Sequence, residues 1–154
     1  MTRGEARWNH VASILVGGTG AVYAWMLYVM ENDDPFSLVG HPWQPHVQHL
    51  HVLFAPLLVF AVGLIWTRHV WARVRSGFRS RRKSGLALFA LAPVMIVSGY
   101  LVQIAIDDTW RTVWVWTHGV SSFAWLAVYV AHQFSRRGQT SPSGERAEAE
   151  SRAR

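Results

Sequence analysis

The sequence predicts an all-α chain, an integral membrane four-helix bundle with both termini in the cytoplasm. Three observations lead there. Four apolar segments, about 9–30, 46–67, 85–106 and 113–134, each run for some twenty residues, the length that crosses about 30 Å of hydrocarbon. Of fifteen Lys and Arg, all but Arg111 fall in the N-terminus, the 68–84 stretch or the tail, as the positive-inside rule expects of cytoplasmic loops. Trp8, Trp43, Trp66, Trp71, Trp110, Trp114 and Trp116 fall near the predicted interfaces, where an aromatic belt forms.

Composition narrows the chemistry. The 154 residues argue for one domain. There is no cysteine, which removes disulfides, thiolate metal sites, cysteine-held iron–sulfur clusters and covalent c-type haem attachment. Any metal must be held by His, Met or oxygen. The formal charge is +6, but the bases are sorted into loops on one side. That distribution indicates anionic lipid and excludes nucleic acid as the partner.

Residues 1–8 read as a short basic leader, without the cleavage site of a secretory signal. The first segment, 9–30, contains Gly17, Gly18 and Gly20, small residues that let helices approach closely in lipid. Residues 31–45 carry three acids and three prolines and no base, and are expected outside. The second segment starts with His46, His49 and His51 and contains Pro56, tolerated where neighbouring helices take up the freed carbonyl. It runs into Arg68, His69 and a stretch to Lys83 with seven bases. The third segment has Pro93 and a Ser98-Gly99-Tyr100 step, and a short link, 107–112, leads to the fourth. The tail, 135–154, is polar and expected to be disordered. The domain is thus 9–134.

The histidines carry the chemistry. Ionisable residues in spanning helices are rare enough to mark function. His118 and His132 are fourteen residues apart, which places them within roughly 40° of one helix face and about 21 Å apart along the axis. Seven of the eight histidines sort into two layers. His118, His46, His49 and His51 lie toward the outer face, and His132, His10 and His69 toward the inner. Two layers of paired imidazoles suit two bis-histidine b-type haems in an apolar bundle, with the four histidines as iron ligands. For the outer site His51 pairs with His118, with His49 in reserve because a bend at Pro56 would rotate the face. His51 and His69 are eighteen residues apart, about five full α-turns, and share a face. For the inner site His132 pairs with His10, with His69 in reserve. The run His10-Val-Ala-Ser13 echoes His118-Gly-Val-Ser121. His41 and His46 read as loop and interfacial residues.

Four spanning segments with a His-x13-His fourth helix resemble the bacterial four-helix di-haem cytochrome b family, which includes the b-type membrane subunits of nickel–iron hydrogenases and formate dehydrogenases. The likeness covers roughly residues 8–134 and rests on His118 and His132, with His10 early in the first helix and His49 or His51 early in the second. It implies a first-helix ligand for the inner haem and a second-helix ligand for the outer one. That supports His10 with His132 and leaves His49 and His51 unseparated. The short chain and its HPWQP and HVLFAP runs depart from the family pattern, as in a divergent branch.

The expected function is electron transfer across a bacterial inner membrane by a multi-pass respiratory-chain subunit rather than a stand-alone enzyme. Two haems would link a redox partner, a cytochrome or an oxidoreductase subunit, to the quinone pool or to a partner on the other face. Tyr100, Gln103 and Gln133 are too few to build a quinone site. Two rivals stand beside this reading: a His-rich metal-binding transporter, and a cofactor-free membrane anchor subunit of a redox complex.

Overall fold

The computed structural model describes residues 2–31, 40–75 and 82–134, and the sequence-based expectations for the tail and for the loop residues between these ranges lie outside them. Every described element is helical: α1 Arg3–Tyr28, α2 Gln44–Ile65, a π-helical turn Trp66–Trp71, α3 Ala72–Arg75, α4 Arg82–Ile104 and α5 Asp108–Phe134. Three of these helices, α1, α2 and α4, are long and apolar enough to cross a membrane. The 27 residues of α5 extend for about 40 Å, but its Trp, His, Ser and Thr residues leave it no stretch as apolar as those of α1, α2 and α4.

Helix starts are set by polar caps rather than by the first apolar residue. α1 begins at Arg3, inside the expected leader, because Thr2 and Glu5 form a capping box: the Glu5 amide donates to the Thr2 hydroxyl, and the Thr2 amide to the Glu5 carboxylate. That arrangement satisfies two of the otherwise unpaired first-turn donors. α5 likewise starts at Asp108, where the Asp107 carboxylate accepts the Trp110 amide at 3.0 Å, so the link from α4 shrinks to three residues, Ala105, Ile106 and Asp107. Pro45 sits in the first turn of α2, where its missing N–H costs nothing. Pro56 and Pro93 lie inside α2 and α4, and both helices run through them.

The helices pair as two hairpins, α1 with α2 and α4 with α5, within which the backbones approach most closely. Between hairpins the helices meet mainly through longer side chains. Tyr129 of α5 meets His10 of α1, Trp116 of α5 stacks on Tyr28 of α1, and Trp66 stacks on Phe89 of α4. A Cβ on Gly17 of α1 would lie 3.1 Å from Leu126 of α5. α1 thus neighbours α2 and α5, and α4 neighbours α5 and α2, which leaves α2 and α5 facing across the middle. The core is a narrow seam of Ala12, Val16, Leu58, Ala61, Ala92, Met95, Trp125 and Tyr129. The outer surface is apolar, with Ile14, Trp25, Phe60, Val97 and Phe123 each more than half exposed. Water would penalise such a surface, whereas lipid accepts it.

Candidate functional site

His51 of α2 and His118 of α5 face one another across the bundle, with ring centroids 6.2 Å apart and planes inclined at 63°. Each ring is held by the helix antiparallel to its own. Nδ1 of His51 donates to the Val16 carbonyl at 3.1 Å, with the Thr19 hydroxyl oxygen 3.3 Å away. Nδ1 of His118 donates to the Met95 carbonyl at 3.0 Å, with the Ser98 hydroxyl oxygen 3.4 Å away. A carbonyl oxygen only accepts, so each Nδ1 carries the ring proton and each Nε2 keeps its lone pair.

Glycines make this close approach possible. A Cβ on Gly20 would come within 2.8 Å of the His51 ring, and one on Gly99 within 3.0 Å of the His118 ring. Gly20 is one of the first-segment glycines expected to let helices approach closely, whereas Gly99 carries no such expectation from the sequence. What Gly20 and Gly99 actually accommodate is an imidazole.

No protein-family model, curated protein or solved structure matches this chain. Its site therefore has to be judged on its own geometry.

Of the two outer candidates on α2, His51 is half-buried and engaged, whereas His49 is exposed. His49 and His46 line an open apolar groove of about 650 Å³ with Pro42, Trp43, Leu50 and Leu53, on the outward flank of α2. His41 is a loop residue, its Nδ1 accepting the Trp43 amide at 3.1 Å.

The second layer, toward the end of the bundle where α1 begins and α5 finishes, is built differently. Nδ1 of His10 is hydrogen-bonded to the Tyr129 hydroxyl, and the two rings meet edge-on at 6.1 Å. Nδ1 of His132 is 2.8 Å from the Ser84 hydroxyl oxygen. Tyr129 precedes His132 by three residues on α5, so His10 lies within about one helical turn of it along the bundle. Trp125 stacks on Tyr129 at 5.2 Å and 11°, midway along α5 between His118 and His132. Its indole N–H, the Ser122 hydroxyl and the Asn9 side-chain oxygen are buried without a partner among the described residues.

His69 sits half-buried in the π-helical turn. A π-helix bonds i to i+5 and so advances less per residue than an α-helix. The eighteen residues from His51 to His69 are therefore not five clean α-turns, and the two side chains do not share a face by α-geometry alone. The Ser13/Ser121 echo has a structural counterpart. Both serines are buried and donate back four residues, Ser13 to the Asn9 carbonyl and Ser121 to the Thr117 carbonyl. Each thus presents a small, satisfied side chain beside a histidine.

Proposed function

We propose that the protein is a membrane electron carrier in which His51 and His118 are the two axial ligands of a b-type haem. The observation that carries this reading is the His51/His118 pair itself. With ring centroids 6.2 Å apart, the two imidazoles would be close enough to hold one metal ion between them at bonds of about 2 Å. The Nδ1–H to carbonyl bonds are the outer-shell contacts that metal-bound histidines characteristically make, fixing the tautomer and raising the basicity of Nε2. Two converging imidazoles also suit haem iron, whose other four positions are filled by the macrocycle, better than zinc, which takes four ligands. A cofactor-free anchor would leave the opposed, tautomer-fixed imidazoles without a purpose.

The second haem in this reading lies between His132 and His10, whose Nδ1 atoms are likewise engaged by Ser84 and Tyr129, with His69 as the competing partner for His132. When bound, the haems supply reversible one-electron chemistry. His51 and His118, and His132 with His10 or His69, would hold them, and the imidazole bonds and the apolar surroundings would tune their potentials. In this reading α5 spans the membrane with α1, α2 and α4. The basic 68–84 stretch and both termini lie in the cytoplasm of a bacterial cell, and the electron partners are a membrane quinone or a docking redox protein.

The test is a visible spectrum of the purified full-length protein with a pyridine haemochrome assay. A sharp reduced α-band of b type is expected. A colourless protein from haem-replete cells overturns the proposal.

A further inference from the structure

We infer that Val16, Thr19 and Gly20 on α1 and Met95, Ser98 and Gly99 on α4 are equivalent positioning elements, one for each imidazole, so that each helical hairpin is a self-contained half-site. The three residues of the first element recur in the second at a constant interval of 79 positions, and His51 recurs as His118 after 67. The atoms correspond as well as the positions. From a Cβ built on Gly20 the nearest atoms are Cε1, Nδ1 and Nε2 of His51, at 2.8, 3.1 and 3.7 Å, and from one on Gly99 they are the same atoms of His118, at 3.0, 3.1 and 3.8 Å. The carbonyl four residues before each glycine takes the Nδ1 proton. The hydroxyl one residue before it donates to its own helix, Thr19 to Leu15 and Ser98 to Met95, and turns its oxygen toward the ring.

A glycine, a carbonyl and a hydroxyl thus hold each ring in plane and in tautomer, and the two hairpins meet with their rings inclined at 63°. The correspondence extends down the second helices, where buried Leu58 and Trp125 are mates, as are Ile65 and His132. Opposite His132, then, the mate position holds an isoleucine. The symmetry that closes the first pair does not close the second.

This inference rests on the proposed haem for what the rings grip, but ring placement is measurable without it. The full-length protein in detergent is compared with Gly20→Ala and Gly99→Ala. A methyl at either position displaces the tip of one ring rather than a helix. Each variant is expected to change the anisotropy of the low-spin ferric electron paramagnetic resonance signal of the His51/His118 haem and to convert part of it to high spin. The direction should be the same for both, with the larger change at Gly20, and the other haem should be unaltered. Thr19→Val and Ser98→Ala add no volume and carry the test if a glycine variant fails to fold. They should shift the same signal less, while Thr19→Ser and Ser98→Thr should restore it. A signal unmoved by all four variants, or moved through one hairpin alone, overturns the inference. If the protein proves colourless, nitrogen-15 resonances of its histidines still decide. His51 and His118 are both expected as Nδ1–H tautomers, and an Nε2–H tautomer at either one defeats the half-site while leaving the haem question to the spectrum.

Discussion

The two ends of this bundle use histidine in different ways. At one end His51 and His118 sit in matched surroundings, each with a backbone carbonyl on Nδ1 and a glycine beneath the ring. At the other, His10 leans on a tyrosine hydroxyl, His132 on a serine hydroxyl, and His69 rides on a π-helical turn. A backbone carbonyl cannot rotate away or donate, whereas a hydroxyl can do both. The first end is therefore fixed by main-chain geometry and the second is adjustable through side chains. In the proposed reading, haems held at these two ends should differ in potential.

The largest effect expected is on cofactor content. In the proposed reading, His51→Ala or His118→Ala should halve the haem bound per protein, since each removes one of the two imidazoles that would hold the first haem. Retention of both haems in either variant would break the contrast at its stronger end. Next come His10→Ala, His69→Ala and His132→Ala, each assayed by haem content. His132→Ala should lose only the second haem, and whichever of the other two matches it names the partner. A full complement after His132→Ala would remove the second layer.

A smaller effect is expected from Tyr129→Phe, which keeps the stack on Trp125 and deletes the hydroxyl beside His10. If His10 is the partner of His132, loss of that bond would make its imidazole a weaker donor to the iron. The midpoint potential of the second haem should rise by up to about 60 mV, the one-electron equivalent of a tenfold change in relative stability. A redox titration in which the other haem moves instead would reassign the residue. Smallest of all is His49→Ala. The side chain is exposed, and both haems and both potentials should stay within error of the parent.

Much of this was legible without coordinates. The long helices and the spacing of His118 and His132 follow from helical periodicity and hydropathy, which act residue by residue. That only one of His49 and His51 would face inward also followed, because residues two apart on a helix point to opposite sides. Which one did not, since the shared face of His51 and His69 assumed α-turns that the π-helical turn interrupts. The helix starts did not. Asp107 and Thr2 set them through hydrogen bonds to orphan amides, and a hydrophobic run does not register a cap. Nor did the π-helical turn at Trp66–Trp71, which changes where His69 points although its sequence spacing is unaltered.

The sequence by itself determined an apolar helical chain with histidines at two depths, since length, hydropathy and helical periodicity are local properties. Only the tertiary structure decided which histidine meets which, that Gly20 and Gly99 make room for rings rather than for helices, and that the two hairpins present the same half-site. Those are contacts between α1 and α2, α4 and α5, and then between hairpins. They depend on rotation and depth of whole helices against each other, which no interval counted along a single chain contains.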